Sequence, residues 1–201
     1  MMFYKKYGFA FQHVNRTGGW SIKKALLDTV GNPDKGSTIV GDAHRPLVDC
    51  IEAFKEHHPG HDINNLAMYA NVRGPFARIV SIFSYRSGRR GAYKGKSFKW
   101  FFYNIYMGDA DITDGSTKPF MVDETGEIPW NMRIFKFEDL PVVWPSIILR
   151  HFNRRIHSFP MTNASKHGDP RSYFDNEMIK IVIEKEHWLI ERFYPELLEM
   201  I

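Results

Sequence analysis

The chain has a single cysteine, Cys50, among 201 residues, and no uninterrupted apolar run long enough to cross a bilayer. One cysteine excludes an internal disulfide and a four-cysteine zinc site. A membrane-spanning helix needs about 18 or more consecutive apolar residues, so a membrane span is excluded as well. Residues 1–14 lack the continuous apolar core of a signal peptide. We therefore expect a soluble, cytoplasmic protein without a membrane anchor.

The composition is that of an ordinary packed protein, with 43% hydrophobic and 25% charged residues and no internal repeat or low-complexity tract. The length predicts one domain spanning residues 1–201. The formal net charge of +4 and the isoelectric point near 9.1 indicate a mild preference for anionic partners. Charge alone identifies no partner.

Apolar stretches with the period of strands alternate with stretches that have the period of helices. Strands are predicted at 8–14, 38–40, 66–72 and 133–137, and helices at 21–27, 47–54, 75–83, 100–106, 142–152 and 175–193. This alternation predicts an α/β fold in which a parallel sheet is covered by helices on both faces, giving three layers.

The first strand is followed by a glycine turn that opens a helix. Backbone N–H groups and the positive end of the helix dipole converge at such a turn, which makes it a phosphate-binding element. Gly18 and Gly19 allow close backbone approach, Arg16 adds a charge with bidentate reach, and Ser21 adds a hydroxyl donor. The alternative is a tight turn that only feeds a core helix. No lysine precedes Ser21, so the Walker pattern of ATPases and GTPases is absent.

A second basic segment follows the strand at 66–72. Arg73 ends the strand, Gly74 and Pro75 open a helix, and Arg78 and Ser81 fall on one helical stripe. An anion at this strand end would be within reach of Arg73 and of that stripe. The alternative is that the stripe forms a surface salt-bridge face. Two anion-binding elements after neighbouring strands suggest a ligand with two separated phosphates.

The two segments resemble motifs of the sulfotransferases that use 3′-phosphoadenosine 5′-phosphosulfate (PAPS), most closely the carbohydrate type. The P-K-T-G-G-T-S loop of that type matches Asn15-Arg16-Thr17-Gly18-Gly19-Trp20-Ser21. The 3′-phosphate motif V-R-N-P-x-x-R-x-x-S matches residues 72–81, the strand-end F-E-D-L matches Phe137-Glu138-Asp139-Leu140, and a late N-x-S loop matches Asn163-Ala164-Ser165. The matches follow the order of the family and span residues 9 to about 195.

The resemblance implies a fold like that of P-loop nucleotide kinases. It also implies PAPS as cofactor, with 3′-phosphoadenosine 5′-phosphate (PAP) as its product. The sulfuryl group would be transferred, without the help of a metal, to a hydroxyl group of a carbohydrate. It places the 5′-phosphosulfate on Arg16, Thr17, Gly18, Gly19, Trp20 and Ser21, and the 3′-phosphate on Arg73 and Ser81. Lys166 and Arg171, in a late polar loop, are expected to close over the cofactor. The chain departs from the motif where Asn15 replaces proline, Arg16 replaces lysine, Trp20 replaces threonine and Gly74 replaces a polar residue.

The family places a histidine or glutamate base after the second strand, and His44 occupies that place here. A neutral imidazole near pH 7 can take the proton of an acceptor hydroxyl, and Arg16 would offset the charge that grows on the leaving oxygen. The alternative for His44 is a loop residue that caps the helix near Pro46. His13, beside the glycine turn, is a weaker candidate base or a strand residue facing the sheet.

The remaining polar segments leave several interpretations open. The basic, aromatic stretch 86–106 suits contacts with an anionic sugar acceptor, or is an ordinary amphipathic helix behind a basic loop. His57, His58 and His61 read as a solvated turn, and no metal site is expected. The expected partner is an acceptor substrate that carries a hydroxyl group. A nucleic acid is not expected as a partner. Two other functions stay open, a small-molecule kinase with a degenerate P-loop and a noncatalytic binder of polyanions.

Overall fold

The computed structural model describes residues 1–37, 44–88, 91–108, 115–160 and 168–200. The chain divides into two compact units, unit 1 with Met1–Val72 and Pro119–Asn163, and unit 2 with Arg73–Lys118 and Ala164–Ile201. Each unit is assembled from two separate segments of the chain. The sequence predicts one domain over residues 1–201, and the division into two units does not test that prediction.

Unit 1 contains a four-stranded sheet in the order β1-β2-β3-β4. The strands are β1 (Met2–Tyr4), β2 (Phe9–Gln12), β3 (Ala67–Val72) and β4 (Met132–Lys136). The predicted strands at 8–14, 66–72 and 133–137 are confirmed as β2, β3 and β4, and these three run parallel. The predicted strand at 38–40 lies outside the described residues.

The prediction of a wholly parallel sheet is wrong, because β1 pairs antiparallel with β2. A single 3-10 turn, Lys5–Tyr7, and Gly8 join these two strands. A parallel pair needs a crossover of a dozen or more residues, so this short connection permits only the antiparallel arrangement. The described sheet is therefore mixed and the fold is α/β.

Seven α-helices are described along the chain. They are α1 (Gly19–Thr29), α2 (Leu47–His57), α3 (Pro75–Ser87), α4 (Phe98–Phe101), α5 (Leu140–Phe152), α6 (Asn176–Lys185) and α7 (His187–Phe193). The predicted aromatic helix at 100–106 is divided, since α4 continues as a π-helical segment over Phe102–Tyr106. The long helix predicted at 175–193 is also divided, into α6 and α7, which meet at Glu186. Among the described residues, no helix is long and apolar enough to cross a membrane.

The core of unit 1 lies mainly between one face of the sheet and the helices α1 and α5. Phe9 and Phe11 of β2 and Tyr69 of β3 pack there with Trp144 and Ile148 of α5. These residues share a face because side chains alternate along a strand and Phe11 pairs with Tyr69. On the other face, Phe3 of β1 contacts Phe54 of α2, with ring centroids 4.9 Å apart. Helices therefore cover both faces of the sheet.

Unit 2 is helical in its described part. Its core is formed by apolar residues of α3, the α4 and π-helical segment, α6 and α7, among them Phe76, Val80, Phe101, Phe102, Tyr106, Val182 and Ile190. Fully buried polar side chains lie beside this core, and they belong to the second of the two basic segments.

Candidate functional site

The glycine turn lies between the end of β2 at Gln12 and the start of α1 at Gly19. The strand, glycine turn and helix expected there are confirmed. Because β2, β3 and β4 are parallel, their carboxyl ends meet at one edge of the sheet. In open α/β sheets this edge is where ligands bind.

Both glycines of the turn are required by close packing within unit 1. Gly18 has φ +85°, and a methyl group on it would lie 2.3 Å from Cδ1 of Leu140 and 3.1 Å from Cδ2 of Phe137. A methyl group on Gly19 would lie 1.8 Å from Cδ2 of His13. Phe137 and Leu140 are the first and last residues of the F-E-D-L segment, so that segment packs directly against Gly18.

The turn also holds a residue in a left-handed conformation. Arg16 has φ +63°, which costs a non-glycine residue about 1 kcal/mol or more. Thr17, directly after it, is buried and donates its hydroxyl to the carbonyl oxygen of Val14 at 3.0 Å. This local bond closes the turn while the Arg16 side chain stays half-exposed.

The first turn of α1 has few internal acceptors. The Gly18 carbonyl accepts the N–H groups of Ser21 at 2.9 Å and Ile22 at 3.2 Å, and no side chain caps the helix at Gly18. The N–H groups of Gly19 and Trp20 are the ones that such a helix start presents to an anion. Ser21 itself is buried.

His13 is buried against the start of α1. It is 4% exposed, and its ring stacks on Phe11 with centroids 6.0 Å apart. Burial, and after it the nearby His44, the N-terminal ammonium and Lys23, hold the pKa of His13 well below its ordinary value of 6.5. His13 is therefore neutral at pH 7. His13 packs against Gly19 as well as against Phe11, so it contacts the glycine turn in addition to the sheet.

His44 is brought to the same place by the fold. Its ring centroid lies 4.5 Å from that of His13, with an angle of 64° between the planes. The N-cap of α2 is Pro46, so His44 does not hold the capping position. The structure thus places the predicted base next to the imidazole that packs on the glycine turn.

Trp20 and Lys23 form a pair on the first turns of α1. Trp20 is 48% exposed and does not enter the core, and the Lys23 ammonium lies 4.3 Å from the centroid of its ring. Lys23 is 4% exposed, and burial lowers its pKa from the ordinary 10.5. The sequence analysis missed Lys23, although a lysine one helical turn after Gly19 was a usable signal.

The second basic segment lies in unit 2. Arg73 is half-buried and follows directly on β3, and α3 begins at Pro75 as predicted. Ser81 is fully buried, and Arg78 is 1% exposed. The alternative of a surface salt-bridge face is therefore wrong.

Arg78 belongs to a buried polar network rather than to an open stripe. It donates from Nη1 to the carbonyl oxygen of Gly115 at 2.6 Å. Glu186 is buried as well, and it accepts from the hydroxyls of Ser116 at 3.2 Å and Thr117 at 3.4 Å. Burial raises the pKa of Glu186, and Arg78 opposes that shift. No local pattern links Glu186 to Arg78, so sequence reasoning missed this pair.

The aromatic segment of unit 2 packs against the core and has lysines beside its rings. Phe101 and Phe102 are buried in the core, as an amphipathic helix requires. Trp100 and Tyr103 are half-buried and also pack against this core. The Lys96 ammonium lies 4.9 Å from the centroid of the Trp100 ring, and that of Lys99 lies 5.9 Å from the Tyr103 ring. This packing agrees with an amphipathic helix, and contact with an anionic sugar acceptor stays a prediction.

The late polar loop is described only in part. Lys166 and the Asn163-Ala164-Ser165 match lie outside the described residues. Arg171 is exposed in a 3-10 turn, Pro170–Tyr173, and its backbone N–H donates to Asp169 at 3.0 Å.

The histidine turn after α2 differs from the expected solvated connection. His58 is buried, and its Nε2 lies 2.9 Å from the carbonyl oxygen of Lys35. Within the described ranges, no group of three or more His, Cys, Asp or Glu side chains is placed to hold a metal ion.

Comparison of the chain with family models, with curated proteins and with solved structures gave no match. The functional conclusion therefore depends on the residues of this chain and on the motifs that they form.

Proposed function

We propose that the chain is a PAPS-dependent sulfotransferase that moves a sulfuryl group to a hydroxyl group of a carbohydrate. One observation carries the proposal. The glycine turn that opens α1 packs through Gly19 on His13, and His13 contacts His44 at 4.5 Å between ring centroids. An anion-binding element and a candidate base thus lie in one place within unit 1.

The groups at the turn suit a phosphosulfate. Arg16 contributes a guanidinium, and the start of α1 contributes N–H groups and the positive end of its dipole. Lys23 adds a buried ammonium to the same helix start, and burial lowers its pKa. These groups are donors or cations, as binding of a dianionic group requires.

PAPS would be held by Arg16 and the N–H groups of the turn and would supply the sulfuryl group that is transferred to the acceptor oxygen. PAP would be the leaving group, with the electron pair of the broken S–O bond on its 5′-phosphate oxygen. In the proposal His44 takes the proton of the acceptor hydroxyl. Arg16 and the N–H groups of the turn stabilise the negative charge on the departing phosphate oxygen. His13 is neutral near pH 7 and orients His44 through ring contact.

The assignment of the 3′-phosphate to Arg73 and Ser81 is proposed from the sequence motif. Support comes from the start of α3 at Pro75, two residues after Arg73, because the first-turn N–H groups that follow Pro75 have no acceptor within the helix. Arg78 is excluded from a direct phosphate contact in this proposal, because its guanidinium is bonded to Gly115 and faces Glu186.

A carbohydrate acceptor is proposed from two half-buried rings of the aromatic segment. Trp100 and Tyr103 present partly exposed rings next to lysine ammonium groups. Ring faces pack on the C–H faces of sugars, and the ammonium groups suit acidic sugars.

Calorimetric titration tests the proposal with three ligands, PAP, ATP with magnesium, and the adenosine 5′-monophosphate that lacks the 3′-phosphate. We expect micromolar binding of PAP and at least about tenfold weaker binding of the other two. Arg16→Ala and Arg73→Ala should each weaken PAP binding about tenfold or more, while Arg192→Ala, an exposed arginine of α7, should leave it unchanged.

Two results would refute the proposal. If ATP with magnesium binds and PAP does not, the result favours a small-molecule kinase with a degenerate P-loop. If neither binds and a sulfated polymer or nucleic acid does, the chain is a polyanion binder.

A further inference from the structure

The amino ends of β2, β3 and β4 lie at the edge of the sheet opposite the glycine turn. The turn that joins β1 to β2 is also at this edge, since Tyr4 pairs with Phe9. The C-terminal end of α5 packs there, because the Phe152 ring lies 4.9 Å from that of Tyr7. These elements bring together six basic residues, defined here as the basic end: Lys5, Lys6, Arg133, Arg150, Arg154 and Arg155.

His151, on the last turn of α5, lies at the basic end. Its Nε2 lies 2.7 Å from the Tyr69 hydroxyl, and its Nδ1 lies 3.4 Å from the carbonyl oxygen of Tyr7. Burial lowers the pKa of His151, and among the charged groups Arg150 and Arg133 lower it further. Two arginines from different elements, α5 and β4, are thus near the same imidazole.

The arginines of the basic end are not held in described ion pairs. Arg133, Arg150, Arg154 and Arg155 are exposed, and within the described part of the chain none of them forms a salt bridge. The neighbouring turns carry five acids, Asp34, Asp62, Asp123, Glu124 and Glu127. None of these acids forms a described salt bridge with a base of the basic end, and four exposed arginines without ion pairs favour an anionic surface.

Apolar side chains are exposed among these charges. Trp130, next to the start of β4, is 83% exposed, and Leu149, on the last turns of α5, is 42% exposed. Tyr7 is 38% exposed, with the Lys6 ammonium 5.6 Å from its ring centroid. Tryptophan and tyrosine flanked by lysine and arginine are the side chains that favour the bilayer interface.

We propose that the basic end docks the protein onto an anionic lipid surface. The bases attract the anionic headgroups, and Trp130 and Leu149 enter the interfacial layer. An aliphatic side chain such as Leu149 gains nothing from a phosphate backbone, which favours a membrane over a nucleic acid. The inference is independent of the proposed enzyme activity, because it uses none of the residues at the glycine turn.

Cosedimentation of the full chain with vesicles tests this proposal. One set is phosphatidylcholine alone and the other is phosphatidylcholine with phosphatidylserine. We expect binding to the second set only, weakening as salt is added. Arg150→Ser/Arg154→Ser should reduce partitioning about fivefold for each arginine removed, and Trp130→Ala should reduce it about fivefold.

The matched control is Lys180→Ser/Arg192→Ser, which removes the same charge from exposed positions of unit 2 and should bind vesicles as the unmodified chain does. Circular dichroism verifies that each variant is folded. Three results would overturn the proposal: no binding to either vesicle set, equal loss in the control variant, or binding to heparin or DNA alone. Binding to heparin or DNA alone would mean that the basic end binds a soluble polyanion.

Discussion

The imidazoles of His13 and His44 lie edge to face, with centroids 4.5 Å apart, and His13 in turn rests on Gly19 at the first position of α1. His13 immediately follows β2, and His44 lies just before α2. The contact therefore connects two loops at the carboxyl edge of the sheet. It joins the predicted base to the predicted phosphate-binding turn through one neutral ring.

Replacing His44 should separate catalysis from binding. If His44 takes the acceptor proton, His44→Gln should lower the rate of sulfuryl transfer about 100-fold or more, while PAP affinity changes less than about twofold. A sulfate-transfer assay and calorimetry on the same preparation measure the two effects. His157→Gln, at an exposed position of unit 1, is the control. Equal activity of His44→Gln and the control would remove His44 from the mechanism.

Lys23 should oppose folding while favouring ligand binding. Because its pKa is lowered by burial, its ammonium form is less favourable in the folded protein at every pH below the ordinary value of 10.5. Lys23→Met should therefore raise the melting temperature in the absence of ligand and weaken PAP binding about tenfold. Lys24→Met is the control, since Lys24 is exposed and pairs with Asp28. A lower melting temperature with unchanged affinity would show that Lys23 is structural only.

Gly19 should tolerate no side chain. A methyl group there would collide with the buried His13 ring, so Gly19→Ala should reduce the free energy of unfolding by about 3 kcal/mol. Urea unfolding measures the change. Gly168→Ala is the control, because among the described residues no atom lies within 4 Å of a methyl group placed there. Equal stability of the two variants would contradict the packing of the turn.

The stability should fall in mild acid, partly through His13. The pKa of His13 is depressed in the folded protein, so its contribution is present above the unfolded value of 6.5 and is lost as the pH falls toward the folded value. The pKa of His151 is also lowered in the folded protein, so His151 likewise reduces the stability as the pH falls. Urea unfolding above and below pH 6.5 should therefore show a smaller pH dependence for His13→Gln than for His157→Gln. An unchanged dependence in His13→Gln would mean that His13 is protonated freely in the folded state.

Arg78 should act on the stability of unit 2. Arg78→Met leaves the Glu186 carboxylate buried without its guanidinium neighbour, and we expect a loss of about 3 kcal/mol. Arg78→Met/Glu186→Leu should recover part of that loss, because no buried charge is left alone. Denaturant unfolding of both variants, with the exposed Arg192→Met as control, tests this. If the double variant is less stable than the single one, the two side chains do not share an environment.

Much of the local structure could be predicted from the sequence. The apolar runs at 8–14 and 66–72 and the turn residues after them placed β2, β3, α1 and α3 close to their observed bounds. Pro75 at the first position of α3 is a signal of the same kind. These predictions held because strand period, helix period and glycine or proline geometry depend on near neighbours in the chain.

Other features could not be predicted in this way. The strand β1 is three residues long, too short to show a period, and its direction follows from the tight turn to β2. The helix predicted at 175–193 breaks at Glu186, a residue that no local signal marks as a helix end.

The sequence by itself determined the α/β alternation, the glycine turn and the two basic segments. Only the tertiary structure decided which of their charges are buried, bringing His44 to His13, Lys23 under Trp20 and Arg78 to Gly115. The reason is physical. A charged side chain is stabilised or destabilised by the groups that surround it in space, and residues distant in the chain supply those groups once the core has formed.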